Sequence, residues 1–137
     1  MPTMVMEPSE SLSAEVVTRS VVGQVVNAIA AADWNALAVC VAADVIYWRP
    51  GTGDRIDGVV EYVEEWRRFV RDDASRLRYR PHSVIVQGDT GVVEASVDGE
   101  LPDGTVVSYS MVSVMRIASG KLVEEREYIV MNTRDER

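Results

Sequence analysis

One cysteine and one histidine stand in the whole chain of 137 residues. With a single thiol no intramolecular disulfide forms. Cys40 and His82 lie far apart with no ligand-spaced cluster around them, which excludes a zinc site of the usual kind. A nucleophile motif, a glycine-rich phosphate loop and a dinucleotide fingerprint are also missing. Positive charge is scarce: 14 Lys and Arg against 22 Asp and Glu leave a net charge of −8 and a pI of about 4.6. Without a basic stripe, nucleic acid and anionic membranes are excluded as partners. The longest apolar stretch, 36–46, is broken by Asp44 and too short to span a bilayer. The N-terminus has no basic segment leading into an apolar one, so it does not read as a secretion signal. These absences predict a cytoplasmic protein whose chemistry, if it has any, runs without metal or cofactor.

What is present is ordinary for one globular domain: 47% apolar and 26% charged residues, at a length that supports a real core. Residues 1–12, with two prolines, read as a flexible tail, and 13–137 as a single domain. Ser13 fits a helix cap with Glu15 in the first turn. Val21, Val25, Ala28, Ile29 and Ala32 follow helical spacing and predict a helix ending near Asp33. A second helix is expected over 35–43, with Cys40 as a small buried hydrophobe. A short strand follows over 44–49, then a loop over 50–54. A third helix is predicted over 58–70, with Tyr62, Val63, Trp66, Phe69 and Val70 on one face. The period then switches to two, giving strands over 77–87, 91–100, 105–117 and 122–131. Gly88-Asp89, Leu101 to Gly104 and Ala118 to Lys121 are the turns, so the last three strands form an antiparallel meander. The order is α+β: helices over one face of a curved sheet, with a pocket between them.

Two carboxylates interrupt this sheet pattern, Asp98 and Glu127. Pointing inward, they are an acid/base pair in a hydrophobic cavity; pointing outward, they are solvated charges. On the last strand one face holds Val123, Glu125, Glu127 and Ile129, and the other Leu122, Glu124, Arg126, Tyr128 and Val130. Both mix charge with apolar residues, so periodicity leaves the inward face open. Asp98 lies next to a hairpin turn, where Asp is also common for local reasons. Glu94 shares its face, with Ser96 between them. Tyr47 offers a hydroxyl donor, or packs in the core with its hydroxyl at the rim. Arg49 precedes Pro50 at a strand end, where a surface arginine fits as well. Trp66 and Phe69 on the third helix, and Tyr109, Met111 and Met115 on the long strand, suit either a pocket wall for a hydrophobic substrate or plain core.

This element order, with Asp33-Trp34 at the first joint, Asp44-Val45-Ile46-Tyr47 opening the first strand and Gly120-Lys121-Leu122 before the last, resembles the nuclear-transport-factor-2-like superfamily. Within it the chain looks most like the SnoaL-like polyketide cyclases and the limonene-epoxide-hydrolase group, over roughly residues 14–131. The resemblance implies a cone-shaped, curved antiparallel sheet wrapped around the N-terminal helices and enclosing one hydrophobic pocket. It also implies a homodimer through the exposed sheet face. The epoxide-hydrolase pattern has an inward Tyr and Asn two apart on the first strand, an Arg and Asp two apart on a middle strand, and an Asp on the last. Those positions fall on Tyr47 and Arg49, on Ser96 and Asp98, and on Glu127. Ser96 replaces the family's arginine and Arg49 its asparagine, so Arg49 is expected to stand in for the missing cation. Some relatives use a histidine with a carboxylate, and His82 is the one histidine here, though its position does not clearly match.

The implied catalytic set is Glu127, Asp98, Tyr47 and Arg49, with Ser96, Trp66, Phe69, Tyr109, Met111 and His82 binding substrate. The expected activity is cofactor-independent acid/base chemistry on a polyketide- or terpenoid-like molecule, foremost epoxide opening by hydrolysis or cyclisation. A ketosteroid-isomerase-like proton shuttle and a non-catalytic ligand-binding or dimerisation module are the alternatives.

Overall fold

The computed structural model describes residues 8–70 and 77–131. Its elements are α1 (Pro8–Ala30), α2 (Trp34–Val39), β1 (Val41–Arg49), β2 (Asp54–Asp57), α3 (Val59–Phe69), β3 (Arg78–Gln87), β4 (Thr90–Glu100), β5 (Val106–Ala118) and β6 (Lys121–Met131). The expected α+β architecture is found: one curved six-stranded sheet in the order β2-β1-β6-β5-β4-β3, with the helices on its inner face. All neighbouring strands run antiparallel except β1 and β6, which pair in parallel. The sheet does not close.

Two boundaries differ from expectation. Helix α1 begins at Pro8, so the flexible tail does not extend to Leu12; residues 1–7 of that tail lie outside the described residues. Proline is well placed in a first helical turn, where its missing N–H has no partner to lose. Ser13 is consequently interior to α1 and caps nothing. Glu15 accepts the Gly88 N–H instead (3.0 Å), and the Thr18 hydroxyl reaches the Gly88 carbonyl (2.7 Å), so two polar side chains pin α1 to the β3–β4 turn. The second boundary is at β1, which starts at Val41 rather than Asp44, because Val41 pairs with Leu122 of β6. The charge-rich segment of β2 carries no apolar alternation; its first residue, Asp54, falls in the loop expected over 50–54 and the rest has no element expected of it. It is a strand only because it lies along β1, with Arg49 opposite Asp54.

The inward face of the sheet carries Gly91, Val93, Ala95 and Val97 on β4 and Met111, Ser113, Met115 and Ile117 on β5. Val21, Val22, Val25, Val26 and Ile29 of α1 pack onto it, as do Tyr62, Trp66 and Val70 of α3 and its cap. Cys40 is buried at the end of α2, its thiol directed to the Leu37 carbonyl at 3.3 Å. Gly91 marks a close approach of α1 to the sheet: a Cβ there would stand 2.7 Å from Val22 Cγ2. Val22 is fully buried and β-branched, so it has little room to yield. Gly91→Ala is therefore expected to destabilise the fold by about 1–3 kcal/mol. The urea midpoint measures it; an unchanged midpoint would show that α1 adjusts freely.

Candidate active site

The decisive local feature is a bulge in β6. Opposite β5, Arg116 pairs with Glu124 and Ile117 with Leu122, leaving Val123 as the extra residue. A regular strand would put Leu122 and Glu125 on opposite faces. The bulge turns both inward, and the strand then continues with Glu127 and Ile129 facing the helices. Glu125 and Glu127 are each 0% exposed. They lie in successive rows of the inner face, Met115–Glu125 and Val93–Ser113–Glu127.

The two carboxyls have unequal surroundings. Glu127 Oε1 accepts a hydrogen bond from the Tyr47 hydroxyl and faces Arg49 Nε at 3.4 Å. Ser113 Oγ stands 3.5 Å from Glu127 Oε2. Arg49 is itself held: its Nη2 donates to the Tyr47 oxygen (3.0 Å) and to Glu65 Oε2 on α3 (3.1 Å), and its guanidinium lies 5.2 Å from the Tyr47 ring. Glu125 has less. Oε1 accepts from the Tyr62 hydroxyl at 2.6 Å, and Oε2 has no hydrogen-bond partner of ordinary geometry.

This asymmetry decides where the charge sits. Burial raises the pKa of both groups. For Glu127 the Tyr47 hydroxyl and Arg49 pull back toward the ionised form. For Glu125 burial, followed by the neighbouring Glu127 charge, pushes the carboxyl up to about 8. The pair therefore holds a proton more readily on Glu125 than on Glu127, whose ionised form has the hydroxyl and cationic partners.

Aromatic rings surround the pair. Tyr47 meets Tyr62 edge-on at 5.6 Å and Trp66 at 6.5 Å; Trp66 meets Tyr79 of β3 at 5.4 Å. Trp66 in turn touches Phe69 (5.9 Å), and Phe69 touches Tyr109 (5.4 Å). Phe69 and Tyr109 open onto a groove of about 460 Å³, which Leu77, Leu101, Val107 and Arg68 complete. A row of packed aromatic rings thus runs from the groove toward the two acids, which the groove itself does not reach.

Of the residues singled out in the sequence, Tyr47, Arg49 and Glu127 are brought together, with Trp66 behind them and Phe69 and Tyr109 at the groove. Met111 and Met115 are fully buried inner-face core and do not line the groove. Asp98, Ser96 and His82 are not in this place. On β4 the inward residues are odd-numbered, so Asp98, Ser96 and Glu94 project from the outer face. Asp98 pairs there with Arg80 (3.4 Å), its side chain 40% exposed. His82 Nε2 lies 2.9 Å from Ser96 Oγ, also outside, and Ser83 donates to Glu94. The expected Asp98–Glu127 pair is therefore corrected: the pleat puts the two on opposite faces, and Glu125 occupies the inward place beside Glu127. Glu125 was legible only as a companion of Glu127. Tyr62, Tyr79, Ser113 and Glu65 carried no sequence signal beyond a polar atom on an otherwise apolar or charged face.

Among the described residues no group of three or more His, Cys, Asp and Glu side chains is arranged to hold a metal, and no helix is long and apolar enough to cross a membrane. The search of curated proteins returns no match. Solved structures share the fold at low identity. A Kribbella flavida protein provisionally named a ketosteroid isomerase aligns with a TM-score of 0.73 at 16% identity, covering 90% of this chain and 84% of that one. An M. tuberculosis LEH-like epoxide hydrolase aligns at 0.70 and 17%, covering 85% and 84%. A Burkholderia xenovorans NTF-2-like protein of unknown function aligns at 0.72 and 20%, covering 90% of each. The model of the SnoaL-like domain matches residues 22–125, from the core of α1 to the buried acid of β6, and the chain belongs to that family within the NTF2-like superfamily.

Proposed function

We propose that the protein is a cofactor-independent acid/base enzyme that moves a proton on one face of an uncharged, hydrophobic carbonyl compound, by isomerisation or aldol-type ring closure. The observation that carries this reading is the buried pair of glutamates with unequal partners. Glu127, ionised beside Arg49 and Tyr47, takes a proton from carbon next to a carbonyl. Glu125, protonated two residues away on the same strand face, returns a proton to the same side of the molecule. The dry aromatic surroundings strengthen both electrostatic effects.

Epoxide opening is the second reading. It is favoured by the hydrogen bond between Tyr47 and Glu127, the two positions implied by the epoxide-hydrolase resemblance. It requires a nucleophile on one side of the C–O bond and an acid on the other. With Asp98 outside, the adjacent glutamates do not flank a ring in that way.

A screen of cyclic enones, ketones and epoxides distinguishes the two. Deuterium uptake from heavy water at the carbon beside a carbonyl supports proton transfer. Diol formation with oxygen from labelled water supports epoxide opening instead. Arg49→Leu is expected to lower kcat/KM by one to two orders of magnitude and to move the acidic limb of the pH profile upward, since Arg49 holds Glu127 ionised. An unmoved limb would separate Arg49 from the base. The same proposal includes a homodimer: Val106, Tyr128 and Val130 are exposed hydrophobic residues on the outer sheet face. Light scattering at twice the 15.2 kDa chain mass supports the dimer, and a single chain mass removes it.

A further inference from the structure

Glu65 is the most sheltered charge on α3. Glu61, Arg67 and Arg68 are exposed, while the Glu65 side chain is 23% exposed, one residue before the buried Trp66. Each of its oxygens takes one arginine: Oε1 accepts from Arg68 Nη2 and Oε2 from Arg49 Nη2, both at 3.1 Å. A pair with Arg68 three residues on is ordinary for a helix face and worth little. The bond to Arg49 is of another kind, because it ties α3 to the end of β1 and, through Arg49, to the buried carboxylate of Glu127.

Arg49 is the last residue of β1, and its side chain meets oxygens on four elements. Nη2 donates to Tyr47 of β1 (3.0 Å) and to Glu65 of α3, Nε faces Glu127 of β6 at 3.4 Å, and Nη1 stands 3.9 Å from the exposed Asp54 of β2. A guanidinium is planar and its N–H directions are fixed relative to one another, so the bond at Nη2 sets where the Nε–H points. The Nε contact with Glu127 is at the long end of hydrogen-bond range, so a shift of about 1 Å breaks it. Long side chains at a strand end have many rotamers to choose from. Here an exposed carboxylate lies on one side and a buried one on the other, and Glu65 holds the choice. Glu127 itself is faced by Tyr47 and Arg49 of β1, Ser113 of β5 and Glu125 of β6, with Tyr79 of β3 in electrostatic reach. Arg49 is the cation of this set.

We propose that Glu65 is a positioning residue: by holding Arg49 Nη2 from α3, it turns the Nε–H onto Glu127 and so favours the ionised carboxylate. A plain counter-charge would act in the opposite direction. It would offset part of the guanidinium's field, and its removal would make Glu127 easier to ionise. As an anchor, its removal lets Arg49 move toward Asp54 and water, and Glu127 becomes harder to ionise. The anchoring effect is the larger one. Glu65 is partly solvated and its charge is screened at Glu127, whereas the Arg49–Glu127 contact lies inside the protein. The part Glu65 plays in turnover rests on the reading of Glu127 as base; its hold on the charge of Glu127 stands separately.

The test is a pH titration of the Glu127 carboxyl carbon by NMR in the full chain, its resonance assigned by its loss in Glu127→Gln. Glu65→Ala is expected to raise the midpoint by about one pH unit. Glu65→Gln keeps an amide oxygen that accepts from Nη2 and is expected to leave the midpoint at or below that of the parent. In Arg49→Leu, where no guanidinium remains to position, adding Glu65→Ala is expected to raise it no further. A midpoint unchanged or lowered in Glu65→Ala would make Glu65 a counter-charge or a surface glutamate and overturn the inference. A rise of the same size in Glu65→Gln, or on top of Arg49→Leu, would overturn it too. With a substrate in hand, the acidic limb of kcat/KM moves up with the midpoint in Glu65→Ala and returns in Glu65→Gln. The expected midpoints with no turnover of any enone, ketone or epoxide uphold the inference and remove the catalytic reading alone.

Discussion

Glu127→Gln is expected to lower turnover by about 10²–10⁴-fold, the range that a positioned general base supplies. The substitution keeps the side chain's shape and its carbonyl oxygen, so the Tyr47 hydroxyl retains an acceptor. Arg49 keeps Glu65 at 3.1 Å and is not left as an isolated buried cation. The variant should therefore fold, with an unchanged near-ultraviolet spectrum and a KM close to that of the parent. What it loses is the one buried carboxylate with cationic and hydroxyl partners. The measurement is kcat and KM on the best substrate from the enone, ketone and epoxide screen. Full activity in a folded Glu127→Gln protein would end the assignment of Glu127 as base.

The second large effect concerns pH and stability. Glu125 has an ordinary value of 4.5 and is raised to about 8 in the fold, by burial first and by the Glu127 charge second. Between those values the native protein keeps a proton that the unfolded chain has released. Stability therefore falls as pH rises through this window, the opposite of the usual salt-bridged carboxylate. Below about 4.5 both states are protonated and the penalty is absent; above about 8 it has reached its full size, on the order of a few kcal/mol. Glu125→Gln is neutral at every pH, accepts from Tyr62 and can donate an amide N–H toward Glu127. Its stability should exceed that of the parent above pH 8, and the two should converge toward pH 4.5. Paired urea titrations across this range isolate the difference. Parallel curves would show that Glu125 is already ionised in the fold at neutral pH. The same change should remove the alkaline limb, near pH 8, from a bell-shaped activity profile.

Much of the frame was legible because it depends on local pattern. The helical spacing of Val21, Val25, Ala28 and Ile29 placed α1's buried stripe. The period-two strands and the turns at Gly88, Leu101 to Gly104 and Ser119-Gly120 placed β3 to β6 within a residue or two. The single Cys and His restricted the expected chemistry to carboxylates and hydroxyls. Where alternation met charge on both faces, pattern gave no answer. Asp98 and Glu127 look equivalent as carboxylates within apolar strands, yet only Glu127 is inside.

Sequence by itself determined the order of the three helices and of every strand but β2, the α+β class, the apolar faces of the helices and the inventory of groups with which any chemistry must work. Tertiary structure alone decided which carboxylates form the pair. A one-residue bulge at Val123 sets the face of everything after it, and strand β1, joined in parallel to β6 across the sheet, carries Tyr47 and Arg49 to Glu127. The bulge lies in the β5–β6 hairpin, and the meeting of Tyr47 and Arg49 with Glu127 depends on pairing between segments about eighty residues apart. Local periodicity carries no information about such pairing, because a strand's neighbours are chosen by the burial of the whole sheet.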